Sequence, residues 1–133
     1  MKPAAAQGRT EERRRAYRYG RRSEVLAIWY LRLKGYRVLV RGRRLAAGEI
    51  DIIARRGRTV AVVEVKARES LAAAAEALGQ RQRTRILRAA RHFLAGRPDL
   101  ADCRLRFDVI CIAPRRWPRH VIDAWRDEDR TTV

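Results

Sequence analysis

Apolar residues recur at helical spacing from just after residue 23, where "EVLAIWYLRLK" joins good helix formers and stops at Gly35. Ser23 is placed to cap that helix and Gly35 to close it in a left-handed turn. The segment is apolar over most of its circumference, so it is expected to be buried on more than one side. The period then changes. "YRVLVRGRR" is a short β-branched run broken by Gly42, and "EIDIIA" and "TVAVVEVKA" follow with "RRGR" as a tight turn between them. Two such runs with a short glycine-containing connection predict a hairpin. Residues 69–79 are ambiguous, since their alanines favour helix and Gly79 interrupts it. From Gln80 helical spacing returns, with Ile86, Leu87, Ala90, Phe93 and Leu94 on one stripe and Gly96 with Pro98 ending it. "RLRFDVICIA" alternates as a strand, Pro114 and Pro118 bracket a loop, and "HVIDAW" is a last short strand. The predicted order is helix, three strands, helix, two strands, in one domain.

Within the hairpin, alternation separates two faces. Ala61, Val63 and Val65 form an apolar face that must be core, while Glu64 and Lys66 project together with Val60 and Val62. On the partner strand Glu49, Asp51 and Ile53 share one side, and Ile50, Ile52 and Ala54 the other. Pairing across "RRGR" that matches the apolar faces also brings Asp51 near Glu64, with Lys66 beside them. Two carboxylates that close raise each other's pKa unless a cation intervenes, and Lys66 neutralises only one. A hard divalent ion takes carboxylate oxygens and keeps positions for water and substrate phosphate. Asp51, Glu64 and Lys66 therefore suit metal-assisted phosphodiester hydrolysis. The same Glu-x-Lys also fits the solvent face of an ordinary hairpin, as a cross-strand charge pair.

Composition favours a polyanionic partner. The chain has 133 residues, 32 Lys and Arg against 15 Asp and Glu, and a formal charge of +17. That excess points to phosphate contact and counterion release. Residues 1–19 read as a basic flexible arm, 20–127 as the folded domain and 128–133 as a tail. No apolar run approaches the roughly 20 residues that span a bilayer. The first residues lack an apolar segment within signal-peptide range, so the cytoplasm is the expected location and no membrane is expected as partner. Cys103 and Cys111 suggest no disulfide framework, and with His92 and His120 they show no zinc spacing. They read as small core residues and incidental imidazoles.

"GEIDIIARRG" followed by "VVEVKAR" resembles the YraN-type family, UPF0102, which is similar to archaeal Holliday-junction resolvases and the wider PD-(D/E)XK nuclease superfamily. The likeness extends from about Tyr19 to Trp125 through "GRRSEVLAIWYLRLKGYRVL", "RQRTRILRAARHFLA" and "RFDVICI". It implies an α/β, restriction-endonuclease-like αβββαβ core, with a mixed central sheet flanked by helices. It also implies that Asp51 and Glu64 are metal ligands for Mg²⁺ or Mn²⁺, and that Lys66 is the ammonium near the attacking water. Glu24 matches the position of a further site carboxylate. Gln82 falls where the family has Lys or Gln facing the site. Ile50 stands where the commonest nuclease pattern has Pro, as it does in the related resolvases. The implied activity is a metal-dependent endonuclease on DNA, with branched or flap structures as substrates. The alternatives are a non-catalytic nucleic-acid-binding protein of the same fold and an RNA-associated basic protein whose arm orders on binding. Related resolvases act as symmetric dimers, so a homodimer is implied too.

Other residues read more plainly. Arg81, Arg85 and Arg88 follow one edge of the second helix, either tracking a phosphate backbone or forming its solvated face. Glu49 reads as a cap or an arginine partner, and Asp108 as a structural hydrogen-bonder. Trp29, Tyr30, Trp117 and Trp125 read as core or edge packing in preference to base-stacking platforms.

Overall fold

A computed structural model describes residues 22–45, 48–67 and 79–126. The expected arm over 1–19, the ambiguous segment up to Leu78 and the expected tail lie outside the described residues. Helix α1 occupies residues 22–33. Strands β1 (Arg37–Leu45), β2 (Gly48–Arg56) and β3 (Thr59–Ala67) follow, then helix α2 (Gln80–Ala95), a 3₁₀ turn at Pro98–Leu100, β4 (Arg104–Ile112) and β5 (Arg119–Trp125). The five strands form one sheet in sequence order. β3 and β4 run parallel and the other neighbours antiparallel, so the sheet is mixed. A parallel pair needs a long crossover, and the segment carrying α2 supplies it. This is the αβββαβ architecture that the sequence motifs imply.

The helices cover opposite faces. Ile86, Leu87, Ala89 and Ala90 of α2 pack on Ile53, Val60, Val62, Phe107 and Val109. Ala27, Ile28 and Leu31 of α1 pack on Ile52, Ala54, Ala61, Val63, Ile110 and Ile112. β3 and β4 alternate between these two cores, which is why β3 is buried along most of its length. The face of β3 that carries Glu64 and Lys66 is thus no solvent face, because α2 lies over it.

The end of α1 is a Schellman turn. Tyr36 N–H reaches Leu31 O at 2.9 Å, Gly35 N–H reaches Arg32 O at 3.0 Å, and Gly35 sits at φ +89°. Two expectations change here. α1 buries one face only: Val25, Leu26, Trp29 and Leu33 are exposed. β1 is not broken at Gly42 but runs through it, with Gly42 at φ +49°. The irregularity in the β1 ladder lies earlier, between Val38 and Val40.

A candidate carboxylate–lysine site

The β2–β3 ladder pairs Arg56 with Thr59 and continues to Ile52 with Val63. One step further, Asp51 and Glu64 stand level on the same face. The ladder stops there, and the Asp51 carboxylate accepts the Val65 N–H at 2.9 Å. A side chain has replaced the backbone partner, which fixes Asp51 where the two strands part. Val65 in turn pairs on its other edge with Ile110 of β4.

α2 completes the surroundings. Gln82, on its first turn, donates from Nε2 to Glu64 Oε1 at 3.3 Å and accepts from Lys66 Nζ at 3.2 Å. Lys66 Nζ stands 4.0 Å from Glu64 Oε1. Gln82 therefore bridges the acid and the base. From the other layer, α1 brings Glu24 toward Gly42, where a Cβ would lie 3.3 Å from Glu24 Oε2. Gly42 lies between the paired positions Arg41↔Ile52 and Arg43↔Ile50, level with Asp51.

Glu64 is 8% exposed. Its carboxyl is pushed up to about 9, by burial first, then by a hydrogen bond with Asp51 and the charge of Asp51, with Glu24 adding to the rise and Lys66 pulling against it. Buried carboxyls crowded by like charge hold a proton at neutral pH. A divalent cation would reverse this, since Mg²⁺ or Mn²⁺ takes one or two carboxylates and completes its shell with water and substrate phosphate. Asp51 and Glu64 offer such a pair of hard oxygen donors. Among the described residues, no group of three His, Cys, Asp or Glu side chains is arranged to hold a metal ion. The donor set is an open pair, with Glu24 set back from it.

The remaining candidates fall elsewhere. Arg81, Arg85 and Arg88 are exposed on the outer edge of α2. The side chain of Glu49 lies outside the described residues. Cys111 is buried, Cys103 half-buried, and both are free thiols. Trp125 is core, stacked on Phe107 with ring centroids 4.1 Å apart. Trp117 and Trp29 are not core: they are 82% and 58% exposed.

One functional-looking cluster was not read from the sequence. Asp108 is fully buried on the α1 face. It takes two bonds from Arg106, at 2.9 and 2.8 Å, one from the Asp123 N–H at 2.9 Å, and one from His120 Nε2 at 2.7 Å. Lys34 Nζ donates to His120 Nδ1 at 2.8 Å. An ammonium has no acceptor, so Nδ1 accepts and Nε2 carries the hydrogen given to Asp108. Burial works against the Asp108 charge, but His120, Arg106 and the Asp123 N–H outweigh it and hold its pKa below the usual value. Asp108 is structural, as its strand position suggests; His120 is not incidental, because its side chain is 1% exposed and joins β5 to α1. Contacts this distant in sequence leave no local spacing signal.

A mixed five-stranded sheet between two helices, with a buried glutamate, a half-buried aspartate and a lysine where β2 and β3 separate, is consistent with a restriction-endonuclease-like α/β domain. The model of the family described as "Uncharacterised protein family UPF0102" matches residues 23–112. A UPF0102 protein of Parvibaculum lavamentivorans is 56% identical over 132 residues, covering 95% of this chain and 99% of that relative. Relatives of the same name from Paramagnetospirillum magneticum and Methylorubrum extorquens are 54% identical over 115 residues and 51% over 128. They cover 84% and 96% of this chain, and 89% and 98% of their own lengths. The chain belongs to the UPF0102 family.

Proposed function

We propose that this protein is a divalent-metal-dependent endonuclease that hydrolyses phosphodiester bonds in DNA, with branched or flap structures as its substrates. The observation that carries the reading is Glu64, buried beside Asp51 and pushed up to about 9, in a chain of formal charge +17. A buried carboxyl kept protonated beside a second carboxyl group and a lysine is poised to ionise when a cation arrives. Asp51 and Glu64 would hold Mg²⁺ or Mn²⁺, with the charge of Glu24 felt at the site. The bound ion supplies Lewis acidity at the phosphoryl oxygen and a lowered pKa for nearby water.

The protein's own groups do the rest. The Val65 N–H holds Asp51 in one orientation. Gln82 holds Lys66 beside Glu64. The Lys66 ammonium orients the attacking water and offsets charge that builds on the phosphoryl oxygens. Water oxygen bonds to phosphorus as one ester oxygen leaves, giving a hydroxyl end and a phosphate end. Arg81, Arg85 and Arg88 provide phosphate contacts away from the reacting atom.

The test is cleavage of end-labelled duplex, flap and four-way DNA in Mg²⁺ and in Mn²⁺. Cleavage by wild type and at least about a hundredfold loss in Asp51→Asn and Lys66→Ala support the proposal. Absence of cleavage on every substrate would remove it. A second reading, a binding protein without turnover, is favoured by the open donor set of two carboxylates. It predicts tight, salt-sensitive DNA binding, no cleavage, and no effect of Lys66→Ala.

A further inference from the structure

A cavity of about 530 Å³ lies beyond the C-terminal end of β4, on the α1 face of the sheet. Ile112 lines it, and Ile112 pairs with Ala67, the residue after Lys66. Ser23 lines it too, one residue before Glu24. Cavity and acid pair thus belong to one end of the sheet. The cavity wall is apolar at Leu26, Pro114 and Trp117, and basic at Arg22, Arg115 and Arg116. None of the residues lining it is acidic.

Trp117 is 82% exposed, which leaves the largest side chain type almost wholly in water. Pro118 follows it directly, limiting how the loop can move. Arg115 sits at φ +60°, a left-handed conformation that side-chain-bearing residues enter at a cost. A turn in that conformation would more readily carry glycine, yet it carries arginine between Pro114 and Arg116. An indole face flanked by guanidinium groups matches the chemistry of an unpaired nucleotide: base on ring, phosphate on arginine. Paired bases offer no free face, so a duplex does not satisfy this surface.

We propose that this cavity is a subsite for an unpaired nucleotide, stacked on Trp117 with its phosphates held by Arg22, Arg115 and Arg116. Resting on the nuclease reading above, it assigns the substrate class: nucleic acid that carries a single-stranded segment. The binding site itself needs no metal and no turnover.

Binding in EDTA therefore tests it separately from cleavage. The full chain is titrated with oligothymidylate and oligouridylate of roughly 16 nucleotides, and with a blunt duplex of the same length. Trp117→Ala should weaken single-strand binding about tenfold, Trp117→Phe should keep most of it, and duplex affinity should not change. Indole emission should fall when the wild type binds single strands, and the fall should be lost in Trp117→Phe. Arg116→Ala should lower the single-strand salt slope by about 0.7. A loss on both oligonucleotides or on one of them supports the subsite. If Trp117→Ala binds single strands like wild type, or weakens duplex and single strand equally, the subsite is wrong, whatever the cleavage assay shows.

Discussion

At Glu64 burial and neighbouring charge act in the same direction, and the consequence is measurable without any substrate. Its ordinary value is 4.5 and its folded value about 9, raised by burial first and then by Asp51. Between those values the folded chain holds a proton that the unfolded chain has released, so stability falls as pH rises through that window. In metal-free buffer Tm should decline from about pH 5 to pH 9, and Glu64→Gln should flatten the decline and raise Tm at the alkaline end. Thermal melts at fixed ionic strength check this, and an unchanged slope in Glu64→Gln would show that Glu64 is not the group responsible. Asp108 has the opposite sign. Its pKa is lowered despite burial, by His120, Arg106 and the Asp123 N–H. Its contribution is present above the ordinary carboxylate range and is lost as pH falls toward the folded value. Asp108→Ala leaves Arg106, whose side chain is 16% exposed, without its counter-charge. Urea unfolding should show a loss of about 3–5 kcal/mol. A loss below about 1 kcal/mol would mean that the cluster is not a structural centre.

At the scale of elements, the separation of β2 from β3 creates the acid pair and Gly42 admits Glu24 beside it. Gly42→Ala meets both a positive φ and an oxygen at 3.3 Å. It should cost about 1–2 kcal/mol from the backbone alone and displace the Glu24 carboxylate. Melting and metal titration of that variant should both shift, whereas a shift in melting alone would separate Glu24 from the site. Most of these elements were legible. The stripe through Ile86, Leu87 and Ala90 fixes the inner face of α2, and the alternation of β3 sets Glu64 against Val63. Three features were not. An apolar circumference on α1 cannot tell which side meets the sheet, so the exposed Val25, Trp29 and Leu33 look the same as the buried Ala27, Ile28 and Leu31. A glycine in a β-run suggests an interruption, although a paired neighbour can hold the strand through it. The Trp117 loop has no period at all, and exposure there depends on what packs nearby. Asp51 and Glu64, by contrast, needed only parity and the tight turn within "RRGR".

Across the whole molecule, +17 charges on 133 residues set a positive field that would attract the proposed polyanionic partner. Duplex affinity should fall about a thousandfold or more between 50 and 200 mM salt if six or more phosphates are contacted. Replacing Arg81, Arg85 and Arg88 by alanine should reduce the slope by about 3 if all three touch phosphate, and leave it unchanged if they only face solvent. No helix among the described residues is long and apolar enough to cross a membrane. The central claim concerns a much smaller region, the gap between two carboxylates. Calorimetric titration of Mn²⁺ into the wild type and into Asp51→Asn tests it most directly. Saturable heat in the wild type, with proton release that grows below pH 9 as Glu64 ionises, and no saturable heat in the variant, is the predicted result. Identical heats from the two proteins would contradict the account.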